Sequence, residues 1–112
     1  MKPSQGEIWV ADLNPARGHE QAGKRPCLIV SVDLFNHGPA GLAVVMPITT
    51  RRKGIPFHVE IGLTESGLRE ISFIKCEDIR SISTERLTGR LGKVSQHTLE
   101  LVQERLRILM GL

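Results

Sequence analysis

The sequence has little of what secreted, membrane-spanning or metal-binding proteins need. Its two cysteines, Cys27 and Cys76, stand in apolar segments with no CxxC spacing and no histidine at metal-ligand spacing. We therefore expect two buried, reduced thiols and no metal or other cofactor. The longest apolar runs, 27–30 and 42–46, fall far short of the roughly 20 residues of a membrane-spanning helix. Since the first residues also lack a secretory signal, we expect a cytoplasmic protein without a membrane partner.

The signatures of several enzyme classes are also missing. No carboxylate pair, Ser-His-Asp arrangement, Walker loop or dinucleotide fingerprint can be drawn from this order of residues. The histidines, at positions 19, 37, 58 and 97, are scattered along the chain. His58 lies in a strand pattern, so we expect it to be structural rather than a catalytic base. These absences argue against nucleotide-binding and triad-hydrolase chemistry.

What the sequence does have is a moderate excess of positive charge. Fifteen Lys and Arg against 12 Asp and Glu give a formal net charge of +3. The bases gather in two places: Arg17, Lys24 and Arg25, and again Arg51, Arg52 and Lys53. If the fold brings the two groups together, they form one face for a polyanion. Ordinary solvated loop charge explains the composition equally well.

Hydrophobic patterning predicts one domain, residues 1–112, that is mainly β with a C-terminal helix. Alternating or buried apolar patterns predict five or six short strands, within 7–13, 27–32, 42–49, 57–61, 71–75 and 78–82. Pro47, near the end of one pattern, predicts a sheet edge or a bulge there. After Ser95, a suitable N-cap, apolar residues recur at helical spacing at positions 99, 102, 106 and 109, and Gly111 follows the last turn, where a glycine commonly ends a helix. The combination favours a barrel or curled sheet with the helix packed against it.

The most informative segment is the polar, glycine-punctuated loop from Asn14 to Pro26. Loops longer than about 12 residues are uncommon in small domains and often functional. Pro26 drives the residue before it, Arg25, towards extended backbone, so that guanidinium is held less freely than on an open loop. An ordinary arginine at the entrance to a strand would look the same.

This loop and the strand after it resemble the signature blocks of the MazF/PemK toxin family. The first block is GEIWVADLNPARGHEQAGKRP, residues 6–26, with the distinctive pattern Gly-x-Glu-Gln-x-Gly-x-Arg-Pro. The second is Pro47-Ile48-Thr49 after an aliphatic strand. Asp78–Ile82 and Arg86-Leu87, before the terminal helix, are similar to the family's third region. His19 departs from the pattern, because a small hydroxylated residue is usual there, and this bears on substrate preference.

The resemblance implies a small SH3-like barrel of the MazF/CcdB type that forms a homodimer. It implies the toxin component of a type II toxin–antitoxin system, neutralised by a cognate antitoxin with an acidic, disordered tail. The implied activity is a metal-independent, sequence-selective endoribonuclease acting on single-stranded RNA, including mRNA. The 2′-OH attacks the adjacent phosphorus and leaves a 2′,3′-cyclic phosphate and a 5′-OH. The family's catalytic arginine and threonine correspond to Arg25 and Thr49.

Physical chemistry assigns roles within that implied site. Arg25 suits charge stabilisation better than general-base catalysis because a guanidinium stays protonated at neutral pH, with proton donation left open. RNA binding is expected from the two polar loops: Arg17, His19, Glu20, Gln21, Lys24, Thr50, Arg51, Arg52 and Lys53. Glu20 and Gln21 are candidates for contacts to base edges, although Glu20 would serve equally well as an ion-pair partner of Arg25. Trp9 lies inside a strand, which favours core packing over base stacking.

Two other functions remain open from the sequence. A CcdB-like, non-nucleolytic toxin that binds DNA gyrase would depend on the terminal helix and tolerate loss of Arg25 and Thr49. An interaction module that has lost its activity is the other, and the presence of both residues argues against it.

Overall fold

The computed structural model describes residues 2–112, which fold around a seven-stranded antiparallel sheet. The strands are β1 (Glu7–Asp12), β2 (Lys24–Ile29), β3 (Leu42–Thr49), β4 (His58–Ile61), β5 (Ser72–Lys75), β6 (Arg80–Ser83) and β7 (Leu87–Lys93). The helices found in this part of the chain are α1 (Asp33–Asn36), α2 (Leu63–Ser66) and α3 (Gln96–Met110). Single 3₁₀ turns flank β6, at Cys76–Asp78 and Thr84–Arg86. The predicted class, mainly β with a C-terminal helix, is confirmed.

The sheet is an open form of the expected SH3-like barrel. Its strands lie in the order β4-β5-β3-β2-β1-β7, and β6 pairs with β3 outside this path. β3 therefore lies inside the sheet, so of the two alternatives predicted from Pro47, an edge or a bulge, the edge is wrong. One side of β3 is paired with β6 up to Val45 and with β5 from Ile48 onward. Pro47 lies in the gap between them, where the ladder is interrupted and a missing N–H is tolerated.

Both faces of the sheet are buried, as the alternation in β1 predicts. Ile8 packs on one side with Leu28 and with Leu99 of α3, whereas Trp9 packs on the other side in a second apolar cluster. Trp9 is 5% exposed and its Nε1 donates to Glu7 at 3.1 Å, so the expected core role is confirmed. Burial excludes this indole from stacking on a base.

The two cysteines behave as buried apolar residues. Cys27 and Cys76 are free thiols in the interior, and burial raises the pKa of each to about 12. Their positions on the two faces of the sheet agree with the expectation of reduced, inert thiols.

Helix α3 begins and ends as the sequence predicts. The Ser95 hydroxyl accepts from Thr98 N–H at 3.1 Å, and Gly111 ends the helix in the left-handed conformation with φ 71°. Leu99 and Val102 are buried against the sheet, and each such side chain contributes about 1.5–3 kcal/mol on leaving water. Within residues 2–112, no helix has the length and apolar character needed to cross a membrane.

Strand β7 and helix α2 are the elements that the sequence patterns did not predict. β7 carries Gly89 and Gly92, and glycine is depleted in strands because it has no side chain to pack. The backbones of α2 and β7 approach so closely that a Cβ on Gly92 would lie 2.4 Å from the Ser66 carbonyl oxygen. Gly92 therefore permits a contact that fixes α2 against the edge of the sheet.

Candidate functional site

The register of two neighbouring strands brings Arg25 and Thr49 together. β2 and β3 pair antiparallel through Cys27 with Pro47 and Leu28 with Met46. Extending this register by two residues sets Arg25 opposite Thr49, at the same end of adjacent strands. The two residues line the same cavities, so residues far apart in sequence share one site.

Arg25 belongs to the sheet and not to the loop before it. The sequence predicted a strand from Cys27, but β2 begins at Lys24 because Lys24 and Arg25 pair with Asp12 and Ala11 of β1. The preceding Gly23 has φ 80°, a left-handed conformation that glycine adopts without strain. The loop therefore ends at Gly23, and the strand pairing from Lys24 onward fixes the backbone orientation of Arg25.

Among residues 2–112, no hydrogen bond occupies the terminal nitrogens of Arg25 or the hydroxyl hydrogen of Thr49. Arg25 Nε donates to the Ala22 carbonyl at 3.2 Å, which anchors the guanidinium by its inner nitrogen. Its side chain is exposed, so the terminal nitrogens can present a fork to a phosphate. Thr49 Oγ1 accepts from Arg51 N–H at 3.2 Å, and its own hydroxyl hydrogen remains available as a donor.

Two cavities meet at this pair and share Arg25, Thr49 and Thr50. The smaller, of about 160 Å³, is completed by Gln21, Arg51 and Lys53. The larger, of about 320 Å³, has a further wall formed by Pro26, Ile48, Leu68, Arg69, Glu70 and Ser72. No sequence pattern predicted this wall, since Leu68, Arg69 and Glu70 come from the connection between β4 and β5, and Ser72 is the first residue of β5. The adjacent charges of Arg69 and Glu70 were the only local signal.

The two basic groups converge only in part. Arg51 and Lys53 join Arg25 around the smaller cavity. Arg52 turns away from it: it forms an ion pair with Glu60 at 3.1 Å and lies 4.8 Å above the Phe73 ring. Arg17 and Lys24 are exposed and line neither of these cavities. Of the two basic groups, therefore, only Arg51 and Lys53 line a cavity with the candidate catalytic pair.

His19 and Glu20 lie at a separate cavity of about 350 Å³, lined also by Lys75, Glu77 and Asp78. Glu20 accepts from Arg17 N–H at 2.7 Å and lies 4.0 Å from Arg80. The alternative in which Glu20 pairs with Arg25 is therefore wrong. The tight turn at Arg17 directs the carboxylate towards Arg80, while the Arg25 guanidinium is held at Ala22.

The beginning of the 14–23 loop is held by hydrogen bonds from residues late in the chain. Arg80 donates to the Leu13 carbonyl at 3.3 Å, and Arg86 donates to the carbonyls of Asp12 and Asn14. None of these contacts has a local sequence signal. They hold the loop against the β6 region, and this restrains the backbone that carries its polar side chains.

His58 is structural, as the sequence predicts. Its side chain is 3% exposed and its Nε2 lies 2.8 Å from Glu77 Oε2. It lines a cavity together with Arg52, and it lines neither of the two cavities that Arg25 lines. A direct catalytic role for His58 is therefore not supported by its position.

The fold and the site together define a small β-sheet protein whose cleft is suited to a phosphodiester, with an arginine fork, a hydroxyl donor and two further cations. Residues 4–110 match the family model described as PemK-like, MazF-like toxin of type II toxin-antitoxin system. The chain belongs to this family, as the sequence blocks around Arg25 and Thr49 indicated.

Individual relatives agree with this assignment. The chain is 39% identical to Endoribonuclease MazF9 of Mycobacterium tuberculosis, over 96% of each chain. It is 32% identical to Endoribonuclease EndoA of Bacillus subtilis, over 100% of this chain and 97% of that protein. These relatives confirm the expected class of enzyme, an endoribonuclease.

Solved structures confirm the fold. MazF from Deinococcus radiodurans superposes with a TM-score of 0.87 at 29% identity, over 100% of this chain and 99% of that one. An endoribonuclease in complex with its cognate antitoxin, from a mycobacterial species, gives a TM-score of 0.82 at 26% identity, over 98% and 96% of the two chains.

Proposed function

We propose that this chain is the toxin of a type II toxin–antitoxin system and cleaves single-stranded RNA, mRNA included, within short motifs in the cytoplasm. The observation that carries the proposal is the meeting of Arg25 and Thr49 at a cavity that Arg51 and Lys53 make basic. Residues 1–112 act as one domain in this proposal, because the sheet and α3 share an apolar core.

The proposed reaction uses a nucleophile that RNA itself carries. The 2′-OH attacks the adjacent phosphorus, a new P–O2′ bond forms, and the P–O5′ bond breaks; the proton that the 2′-OH gives up to solvent is balanced by the proton that the leaving O5′ takes up. The products are a 2′,3′-cyclic phosphate and a 5′-OH that has gained a proton. Because no external nucleophile is needed, the protein has to align the backbone and stabilise charge on the phosphoryl oxygens, without a metal or cofactor.

Arg25 and Thr49 supply that stabilisation. The terminal nitrogens of Arg25, left free by the Nε anchor at Ala22, bind two phosphoryl oxygens as a fork. The Thr49 hydroxyl, which accepts from Arg51 N–H, donates its hydrogen to another oxygen of the same group. A guanidinium is a poor base because it holds its proton at neutral pH, so Arg25 binds the phosphoryl group as a cation.

The neighbouring polar loops bind the rest of the RNA. Arg51 and Lys53 neutralise phosphates nearest the cleavage point, and the exposed Arg17, Lys24 and Arg52 attract the strand on its approach. Thr50 borders both cavities and contacts the backbone beside the scissile phosphate. Gln21 contacts a base near the cut, whereas His19 and Glu20 contact bases farther along, at the separate cavity.

Two protein partners belong to the proposal. An antitoxin with an acidic, disordered tail would block RNA by covering the basic cleft at Arg25, Arg51 and Lys53, and a structurally similar endoribonuclease is known with its cognate antitoxin.

A second copy of the chain would form a homodimer and cover exposed apolar residues around α1, of which Leu34 is 89% exposed. Light scattering tests the dimer: Leu34→Arg should shift the mass towards one chain.

The experiment that tests the proposed activity is cleavage of a long single-stranded RNA in EDTA, with mapping of the cut ends. Wild-type protein should cut at a recurring short motif and leave 5′-OH ends, while Arg25→Ala and Thr49→Val should lose this activity. Arg107→Ala is the matched control, because Arg107 is an exposed arginine on α3, away from the cleft. Absence of cleavage by folded, antitoxin-free wild type would overturn the proposal, and gyrase inhibition would then be measured.

A further inference from the structure

Lys75 is a buried cation that the proposed cleavage chemistry does not use. It lies on β5, is 8% exposed, and its Nζ lies 3.7 Å from Asp78 Oδ2. The same ammonium donates to Gln21 Oε1 at 3.3 Å. Asp78 Oδ2 also accepts from Gln21 N–H at 3.0 Å. Lys75 and Asp78 therefore hold Gln21 by both its side chain and its backbone.

These contacts decide which way the Gln21 amide points. An ammonium group has three donors and no acceptor, so only the amide oxygen of Gln21 can face Lys75. The amide nitrogen is then directed away from Lys75. Within residues 2–112, the side chain of Gln21 has no hydrogen-bond partner other than this ammonium.

The free amide nitrogen belongs to a residue of the candidate active site. Gln21 lines the smaller cavity together with Arg25, Thr49, Arg51 and Lys53. It is half-buried, so its exposed edge is accessible to a molecule that enters this cavity. Lys75 does not line that cavity and reaches it only through Gln21.

We propose that Lys75 is a positioning residue for RNA sequence selectivity. It orients Gln21 so that Nε2 offers a hydrogen-bond donor to an acceptor atom on the edge of a base next to the scissile phosphate. This inference rests on the proposed ribonuclease function. Without Lys75, the amide rotates and offers its oxygen or its nitrogen with similar ease, so selection at that base is weakened.

A double-mutant cycle separates this role from simple anchoring of the loop. Cleavage rates are measured for the preferred motif and for motifs changed at one base, and selectivity is the ratio of the kcat/KM values. Gln21→Ala and Lys75→Met should each lower the ratio by about 2- to 10-fold at the same base position, as expected for one neutral hydrogen bond. The double variant should lose no more than either single variant, because both changes remove one contact.

Three further variants control for charge, chemistry and folding. Lys93→Met removes the same charge from an exposed position on β7 and should leave the ratio unchanged. Lys75→Arg keeps a head group with donors only and should preserve most of the selectivity. The larger guanidinium has room in the cavity of about 350 Å³ that Lys75 borders. Gln21→Glu still accepts from Lys75 but offers an oxygen acceptor in place of the Nε2 donor, so it should lose the base preference. This variant tests the inference even if Lys75→Met does not fold.

The possible outcomes separate the two proposals. Equal losses of kcat/KM on every motif would indicate a phosphate contact or a general effect of charge, and would overturn the inference. So would an unchanged cut motif in Gln21→Glu or in folded Lys75→Met. In each of those cases wild type still cleaves RNA, and the proposed function stands. If wild type does not cleave RNA, both proposals fail together.

Discussion

Arg25→Lys keeps the positive charge of the site but removes the planar fork. In the wild type, Nε is anchored on the Ala22 carbonyl at 3.2 Å and the terminal nitrogens remain free for two phosphoryl oxygens. Lysine has a single ammonium and nothing that corresponds to Nε, so both the anchor and the paired contact are lost. Removing one hydrogen bond to a charged group costs about 1.5–3 kcal/mol. The substitution should therefore slow cleavage by about 10- to 150-fold.

Single-turnover cleavage of a short RNA containing the preferred motif, in EDTA, measures this effect. Since the charge is retained, RNA affinity should change little and the loss should appear in the rate of the chemical step. Arg25 is exposed, so the melting temperature should stay close to that of the wild type. Arg25→Ala should be slower still. Cleavage by Arg25→Lys within about twofold of wild type would refute the reasoning, because it would show that the bidentate fork is not needed.

Other predictions concern the fold, the RNA surface and the thiols. Gly92→Ala should lower the free energy of unfolding by about 1–3 kcal/mol, because its Cβ would lie 2.4 Å from a backbone oxygen of α2. Gly89→Ala on the same strand has no atom within 4 Å of its Cβ and is the control; equal shifts in thermal denaturation would contradict the close approach. Arg51→Gln with Lys53→Gln should reduce the slope of log affinity against log salt by about 1.4, at about 0.7 per phosphate contact of a single strand. Arg52→Gln should change that slope less, since Arg52 is paired with Glu60, and an equal change in anisotropy titrations would argue against the assignment. Cys27 and Cys76, whose pKa values burial raises to about 12, should react slowly with a thiol reagent at pH 8 in the native protein and promptly after unfolding; fast native reaction would contradict their burial.

Elements with strong local signals could be predicted from the sequence. The strand over 42–49 has the predicted bounds, and α3 begins after Ser95 and ends at Met110, just before Gly111, as its cap residues indicate. β7 was missed because Gly89 and Gly92 weaken its pattern. What specifies β7 is its pairing with β1 and its contact with α2, and both depend on residues distant in sequence.

The candidate site, like the fold, could be predicted from the sequence only in part. The resemblance identified Arg25 and Thr49, but their position opposite each other follows from the register of β2 and β3. Local pattern also gave no sign that Lys75 would meet Gln21, 54 residues earlier, or that Arg52 would turn towards Glu60. Charge along a sequence predicts which residues are available to bind RNA, while strand pairing decides which of them reach the cleft.

The measurement that tests the proposed mechanism most directly uses an RNA oligonucleotide with one cleavage motif and a single 2′-deoxy nucleotide on the 5′ side of the cut. We predict that wild-type protein cleaves the unmodified RNA to a 2′,3′-cyclic phosphate and a 5′-OH, and leaves the modified RNA intact although it binds with similar affinity. Cleavage of the modified RNA at the same bond would contradict attack by the 2′-OH and the roles proposed for Arg25 and Thr49.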